Sequence, residues 1–442
     1  MSTKRLILFL MASAILLTIS LGCEKAGPNL EPTAAPPASK TEKPGGLVHA
    51  ETLAAPGKIS EDVDYMDVSE AFRQTLWSFA GKTSSAALTG PAASNSLYSP
   101  VSLYYGLAML EAGAAGQTKA ELRAFMAVHG DQAIGPELGK LYALMSIDRE
   151  DSIEQIANAL WARKDLVGGS GGGVKQAWLD QLSHDFYASA FAVDFTNPET
   201  AKEMSRWVEQ ETRGKIKPQI DVSDPGLLMV LMNTLYFKAG WIENFREDEV
   251  VKGDFFGHEG TLTDISYLRR DFISLPALKT DQFTAAALPL TNGRLDLILP
   301  AEGMSPEDLL GDPAFLAGLR SAAWRDYGVD LKLPKFEYKT KTDILKAMES
   351  LGLPAIVKGG PDFSAMIDRG AEVSTISQEA FIALDEKGVE AAAYTEIGIV
   401  ESMPLAPDEH MDLHLDRSFL FVISDQAGAP LFVGIVRNPA QS

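Results

Sequence analysis

The stretch of this sequence closest to a catalytic motif is glycine-rich and spans residues 168–172, where Ser170 has the spacing G-x-S-x-G. In hydrolases with that motif, the serine sits on a strained turn between a strand and a helix and acts as a nucleophile. Here five glycines surround the serine, and such segments are flexible rather than rigid. No aspartate and histidine follow in the order typical of that fold. The sequence therefore predicts a loop at this point and no enzyme.

The histidines could hold a metal ion or act as general bases, but their spacing supports neither role. None lies in an HExxH pattern. His410 and His414 are four residues apart in a region predicted to pass from loop to strand, where this spacing does not bring two side chains together. Phosphate-binding glycine loops are also absent. We predict no metal site and no cofactor; the six histidines are His49, His129, His184, His258, His410 and His414.

The C-terminal stretch from Glu386 to Pro404 alternates between two faces, as a half-buried strand does. The face without charge or proline consists of Val389, Ala391, Ala393, Thr395, Ile397 and Ile399. The preceding segment alternates too, with Gln378 as the one polar residue on its apolar face, and Lys387-Gly388 between the segments predicts a tight turn. Residues 390–393 are good helix formers with little β-propensity. The sequence therefore permits a strand here without strongly favouring it.

Composition limits the classes of function. The chain has 442 residues, of which 46% are hydrophobic, and a formal net charge of -21. This length suffices for one large domain or two ordinary ones. A strongly acidic chain without a basic patch is a poor nucleic-acid binder, because phosphate recognition needs a basic surface.

The N-terminus has the features of a secretory signal. Lys4 and Arg5 precede an apolar run that ends at Gly22, and the single cysteine, Cys23, follows. This arrangement resembles the lipobox of bacterial lipoproteins, in which the cysteine is lipidated, although Ser20 replaces the usual leucine. An ordinary signal peptide is the alternative. The apolar run is too short to favour a permanent transmembrane helix. We expect residues 1–22 to be a signal peptide and the protein to be secreted across the membrane and lipid-anchored to the cell envelope, or extracellular.

Two further regions follow the predicted signal. Residues 23–60 are rich in Pro, Ala, Lys and Glu and lack aromatic residues, so we predict a disordered, lipidated tether. Residues 61–442 show no second linker and no repeat, and form one predicted domain. Its first third is mainly helical and its last two thirds mainly β, which indicates an α+β fold. The clearest elements are a helix after Asn197-Pro198 and a buried strand at Leu227–Phe237.

Seven sequence blocks, in this order, resemble the serpin family over Asp67 to Gln441. They are SNSLYSPVSLYYGLAMLEAGAAGQTKAEL, IANALWARKD, VDFTNPETAKEMSRWVEQETRGKI, LMNTLYFKAGW, LPKFEY, DEKGVEAAA and FLFVISDQAGAPLFVGIVRNP. The resemblance implies an α+β serpin fold, with helices, three β-sheets including a large central one, and an exposed reactive-centre loop at about 387–407. It also implies that the protein is a serine protease inhibitor and not an enzyme, and that it is a monomer.

The resemblance implies a suicide-substrate mechanism. The protease attacks the loop, and the cleaved loop then inserts into the large sheet as a new strand. Burial of the larger apolar side chains would contribute on the order of 10 kcal/mol before entropy. Counting fourteen residues from the hinge glycine, as is usual in the family, puts the scissile bond at Ser402–Met403. The small Ser402 favours elastase-like or subtilisin-like targets, outside the cell or in the periplasm. A register one residue away leaves two other specificities open, acidic through Glu401 or chymotrypsin-like through Met403.

Other residues match family positions individually. The predicted hinge is Glu386, Lys387, Gly388, Val389, Glu390, Ala391, Ala392 and Ala393. The shutter, beneath the opening sheet, corresponds to Ser99, Ser102 and Asn233, with Gln378 where many members have a histidine; the amide can still donate and accept hydrogen bonds. The breach, at the top of the sheet, corresponds to Trp241 and to a Lys335–Glu386 ion pair. The alternative function is a non-inhibitory, serpin-fold binding protein, which the small residues of the hinge disfavour.

Overall fold

The structure is a computed structural model. It describes residues 47–91, 93–167, 173–352, 360–373, 376–389, 407 and 409–441. Ser170, the reactive bond Ser402–Met403 and Cys23 lie outside them. Within them, no helix is long and apolar enough to cross a membrane.

Helices outnumber strands, residue for residue, in the first third of the described chain. Their boundaries follow local capping signals: the Ser69 hydroxyl accepts a hydrogen bond from the backbone N–H of Phe72 (3.2 Å), and the Asn197 side chain accepts one from that of Glu199 (3.0 Å). The helix predicted after Asn197 is therefore confirmed. The α-helices are α1 (Glu70–Ala87), α2 (Pro100–Gly113), α3 (Gly116–Phe125), α4 (Ile134–Leu144), α5 (Gln176–Asp185), α6 (Pro198–Glu211), α7 (Pro306–Leu310), α8 (Phe315–Ser321) and α9 (Ile344–Ser350).

The strands are concentrated after α6, as the sequence predicts. They are β1 (Glu51–Ala54), β2 (Ser96–Tyr98), β3 (Ile147–Asp148), β4 (Ser152–Arg163), β5 (Ala188–Val193), β6 (Met229–Gly240), β7 (Val250–Gly257), β8 (Gly260–Lys279), β9 (Phe283–Leu290), β10 (Gly293–Pro300), β11 (Arg325–Pro334), β12 (Phe336–Asp343), β13 (Ser377–Asp385), β14 (Gly388–Val389), β15 (His410–His414), β16 (Phe419–Asp425) and β17 (Pro430–Val436).

The first sheet, which we call the main sheet, has the strand order β1-β5-β4-β6-β14-β13-β12, with β3 beside β4. Its strands β4 and β6 pair antiparallel from Ser152–Ala239 to Ala162–Met229. One face of β4 and β5 packs against α6. There Trp161 and Trp207 are buried and meet edge to face at 6.4 Å.

The prediction that residues 23–60 form a disordered tether is wrong for the last part of this range. Residues 51–54 form β1 and pair antiparallel with β5 at the edge of the main sheet. Just before this strand, the backbone N–H groups of Val48 and His49 donate to the buried carboxylate of Glu203 on α6, at 2.8 and 3.0 Å. These distant partners hold the segment in place, and composition alone does not reveal them.

The second sheet has the order β15-β11-β8-β9-β10-β16-β17-β2, with β7 beside β8. The 20-residue β8 pairs with β11 over Tyr267–Ala277 and with β9 over Ala277–Lys279. This shared strand joins two predicted sheets, so the described strands form two hydrogen-bonded sheets instead of three. The α+β fold class is confirmed.

Candidate functional site

The candidate site begins where Gly388 and Val389 enter the main sheet. These two residues form β14, which lies between β6 and β13 and pairs antiparallel with both. Val389 is opposite Ala239 on one side and Leu384 on the other, and it is 2% exposed. In the described part of the chain, no strand pairing joins β6 directly to β13. Among the described residues, only Gly388 and Val389 lie between these two strands.

Gly388 is required by the turn into β14. Its φ is +145°, a conformation that side chains with a Cβ rarely adopt. A Cβ placed on it would lie 2.2 Å from the carbonyl oxygen of Ala239. Before it, the N–H of Lys387 donates to the side chain of Asp385 (2.8 Å), as in an Asx turn. The residues of this hairpin are thus suited to bring the chain back against β6.

Trp241 fastens the hairpin to the end of β6. Its backbone N–H donates to the carbonyl of Lys387 (3.1 Å), and its indole N–H donates to that of Asp385 (2.9 Å). Four residues later, the N–H of Phe245 donates to the carbonyl of Glu386 (2.9 Å). The predicted breach tryptophan is therefore in direct contact with the predicted hinge.

Lys335 and Glu386 form an ion pair beside this hairpin, with Nζ and Oε1 2.6 Å apart. Each side chain is about one-third exposed. Partial burial alone would raise the pKa of Glu386, but the hydrogen bond and charge of Lys335 outweigh it and hold that pKa below its usual range. The pair ties the turn to the residue that separates β11 from β12.

Halfway down the sheet, Gln378 of β13 binds the N-terminus of α2. Its Oε1 accepts a hydrogen bond from the backbone N–H of Ser99 (2.7 Å), and its Nε2 donates to the carbonyl of Ser99 (3.1 Å). The hydroxyl of Ser99 caps α2 by accepting from the N–H of Ser102 (3.3 Å). The side-chain amide of Gln378 thus pairs with both the N–H and the carbonyl of Ser99, because a primary amide carries an acceptor oxygen and a donor nitrogen. A single ring nitrogen of a histidine could make only one of these two hydrogen bonds.

The same network reaches β6 and β4 on the other side. The Ser102 hydroxyl donates to Asn233 of β6, and Asn233 Nδ2 donates to Asn158 Oδ1 of β4 (2.6 Å). Asn158 in turn donates to the carbonyl of Phe186 (2.7 Å). Polar side chains under the sheet therefore link β13, α2, β6 and β4. Sequence analysis did not identify Asn158, although an asparagine inside the apolar block IANAL is a visible signal.

The remaining predicted site residues lie outside the described residues. They are Glu390, Ala391, Ala392 and Ala393 of the hinge, Ser402 and Met403 of the reactive bond, and Cys23. Their assignments stay predictions.

His414 meets partners that the sequence analysis did not consider. Its Nε2 lies 3.1 Å from Asp330 Oδ2, and ligand atoms of His414, Asp330 and Asp412 lie within 4.8 Å of one another. Asp330 and Asp412 are directly opposite on β11 and β15. Asp330 is also held by Arg269 (2.9 Å), which supplies its counter-charge without a metal ion.

Most of this chain matches one known protein family. The family described as "Serpin (serine protease inhibitor)" matches residues 75–439. Serpin-Z1A of Triticum aestivum is 31% identical over 383 residues, which cover 79% of this chain and 92% of the wheat protein.

Solved structures show the same fold. The native state of the thermophilic serpin tengpin has a TM-score of 0.73 at 24% identity, with 88% of this chain and 100% of that chain covered. Human thyroxine-binding globulin in complex with thyroxine has a TM-score of 0.70 at 24% identity, with 84% and 98% covered. The hairpin at β14 and the polar network beneath it both lie within residues 75–439, the part of the chain that matches the family.

Proposed function

Because the chain belongs to the serpin family, whose members are generally protease inhibitors, we propose that it inhibits serine proteases by inserting its cleaved loop into the main sheet. The observation that carries this proposal is the position of β14. Gly388 and Val389 already occupy the first two places between β6 and β13. The residues after them can extend this strand in the same register.

The side-chain pattern supports insertion of the following residues. Val389 points into the core, so Ala391, Ala393 and the later members of the same alternating set would follow it inward. None of them carries a charge, whose burial without a partner would strongly oppose insertion. Attack at Ser402–Met403 would form an acyl-enzyme, and insertion would carry the protease away from the site before deacylation.

The test is to mix the protein with an elastase-like and a subtilisin-like serine protease and analyse the products on a denaturing gel. We expect a band at the summed mass that resists boiling in SDS. Sequencing the released fragment should give Met403 as its first residue. Cleavage of the loop without a stable complex, with every protease that cuts it, would contradict the proposal.

A pair of substitutions tests insertion itself. Ala391→Arg places a charge on the face to be buried and should convert the inhibitor into a substrate. The matched control, Glu390→Lys, changes a neighbour on the opposite, exposed face and should leave complex formation intact. Trapping by Ala391→Arg at the wild-type level would show that insertion is not the mechanism.

The alternative is a binding protein on the same scaffold. Its support is the fold-level likeness to thyroxine-binding globulin, whose structure contains thyroxine. Under this alternative, neither substitution would matter to the protein's activity, and no protease complex would form.

We also propose that Cys23 is lipidated and anchors the protein at the cell envelope. The support is the run from Lys4 to Gly22 followed by this single cysteine. Labelling cells with a radioactive fatty acid should mark the wild type and not Cys23→Ser. Equal labelling of both would contradict the proposal.

A further inference from the structure

Two carboxyl groups without a basic partner are buried behind the breach. Glu154 is 1% exposed and Asp425 is 6% exposed, and the amide of Asn292, at 1%, lies beside them. In the described part of the chain, neither carboxyl forms an ion pair with a lysine or arginine. Buried acids of this kind are rare, because removing a charge from water is costly unless it is paired. The mechanism proposed above makes no use of them.

Their position relates them to the start of the insertion site. Glu154 is on β4 opposite Phe237 of β6, two residues from the place where Ser152 faces Ala239. Ala239 is the residue that pairs with Val389. The two acids therefore lie just inside the end of the main sheet that receives the hinge.

The turn between β9 and β10 connects the acids to that end. Its Thr291 donates its N–H to the carbonyl of Gly240 (3.0 Å), and Asn292 is the next residue. Gly293 then faces Asp425 across the second sheet. The acids are consequently packed between the two sheets, where separating β4 or β6 from the second sheet would admit water.

The hydrogen bonds leave two acceptor atoms unsatisfied. Glu154 Oε2 accepts from Asn292 Nδ2 (3.2 Å), whereas Glu154 Oε1 and Asn292 Oδ1 are buried without a partner. Asp425 Oδ1 accepts from the N–H of Ala429 (2.7 Å). A negative charge on Glu154 would therefore be supported by one amide, which is far less than a buried carboxylate requires.

The residues that face Glu154 and Asp425 do not supply a positive charge that would pair with these carboxylates. Arg73 of α1 lowers the pKa of Asp425, but its guanidinium hydrogen bonds go elsewhere, including to the carbonyl of Ala427 (2.6 Å). Tyr105 of α2 is neutral and donates to the carbonyl of Leu138. Opposite Glu154, β3 and β6 present Ile147 and Phe237, which are apolar.

We infer that Glu154 is a neutral carboxylic acid in the folded protein, and that Glu154 and Asp425 together form a proton-dependent lock on the breach end of the main sheet. With a proton on Oε1, Glu154 loses its charge and still accepts from Asn292 through Oε2. Burial first, and then the neighbouring Asp425, raise the pKa of Glu154, in agreement with this assignment.

The direction of the pH effect follows from linkage. Groups whose pKa is raised by folding bind more protons in the folded state than in the unfolded state. Their contribution to stability is complete below the unfolded pKa values, near 4, and is lost as the pH rises through the folded values. At neutral pH and above, loss of the proton would favour opening of this end of the sheet, because water can then reach the carboxylates.

The first measurement is the infrared spectrum of the full-length folded protein between about pH 5 and pH 8. We expect a band from a protonated carboxylic acid to persist well above the range where exposed acids ionise. Glu154→Gln, which keeps the shape and the acceptor atom, should remove the part of that band that Glu154 contributes and leave the part that comes from Asp425. Glu302→Gln, the same change at an exposed glutamate, should not. Persistence of the whole band in Glu154→Gln would overturn the assignment.

The second measurement is unfolding by denaturant across the same pH range. The equilibrium constant for unfolding should rise with pH in the wild type, and Glu154→Gln should reduce that rise about tenfold or more, while Glu302→Gln should leave it unchanged. If Glu154→Gln does not fold, Asp425→Asn takes its place in the infrared titration. Because this variant removes the charge next to Glu154, the band of the protonated carboxylic acid should disappear at a lower pH than in the wild type. An unchanged titration in that variant, or equal pH dependence in Glu154→Gln and wild type, would contradict the lock. Neither result depends on protease inhibition.

Discussion

A single amide, that of Gln378 on β13, binds the N-terminus of α2. It binds both the N–H and the carbonyl of Ser99, and through Ser102 the same turn holds Asn233 on β6. The residue that departs from the common family pattern therefore makes contacts of its own. Substitution of Gln378 therefore tests whether a glutamine at this position stabilises the main sheet.

We predict that Gln378→Ala lowers the free energy of unfolding by about 1–3 kcal/mol, because it leaves the backbone groups of Ser99 without their partner. Denaturant unfolding measures the change. Gln282→Ala, at an exposed turn residue, is the control and should have little effect. If the Gln378→Ala protein is as stable as the control, the amide contributes nothing to the stability of the main sheet.

Glu249 gives a pH-dependent prediction. Its hydrogen bond with Arg270 (2.7 Å) is the largest influence on its carboxyl and lowers its pKa to about 2. Arg270 also lies over the ring of Phe245, which contacts Trp241. Because the folded pKa is depressed, this pair stabilises the protein above about pH 4.5 and loses its effect as the pH falls towards 2.

We therefore expect Glu249→Gln to destabilise the protein by about 2 kcal/mol at pH 7 and by much less near pH 3. Thermal unfolding at both pH values measures the difference. Glu247→Gln, in the same turn but exposed, should show neither effect. A loss of stability that is equal at both pH values would refute the link to ionisation.

At the scale of elements, β14 depends on one backbone conformation. Gly388→Ala would bring a Cβ within 2.2 Å of the Ala239 carbonyl in a conformation unsuited to alanine. We predict that the N–H groups of β14 exchange with solvent faster in this variant and that the protein is destabilised by about 1–3 kcal/mol.

The control for β14 is Gly370→Ala, because a Cβ there meets no atom within 4 Å. Hydrogen exchange resolved to the hinge peptide, compared between the two variants, measures the effect. If Gly388→Ala protects the hinge as well as the control does, the close approach to Ala239 is not limiting.

Sequence predicted individual elements best where local signals agree. α6 has its cap, its proline and its amphipathic pattern within a few residues, and β6 is a long apolar run. β1 was missed because ETLA lies among prolines and glycines, and what orders it is the distant strand β5 and Glu203.

At the scale of the whole molecule, the family resemblance predicted the fold class and the Lys335–Glu386 ion pair. It did not predict most of the other side-chain contacts. Asn158 joins the network because β4 and β6 pair in one particular register, and Glu154 of β4 meets Asn292 in the turn between β9 and β10. Such contacts between segments far apart in the sequence carry no local signal.

Insertion predicts a global change in stability. If the loop enters the main sheet after cleavage, the burial of its apolar face should raise the melting temperature by at least about 10 °C. Calorimetry before and after limited proteolysis in the loop measures this. Ala391→Arg, cleaved in the same way, should show a much smaller rise. A cleaved wild type that melts at or below the intact temperature would be inconsistent with insertion.

The two residues of β14 also bear on the rate at which a longer strand could grow. Starting a hairpin is slow because closing its turn costs entropy before any contact is gained. Here the turn at Lys387 is closed and the register is set by Val389 opposite Leu384. Growth would therefore proceed residue by residue from an existing nucleus. Its barrier would come from the contacts of Gln378 on β13 and Asn233 on β6, so these two side chains would determine how fast the protein responds to a cut.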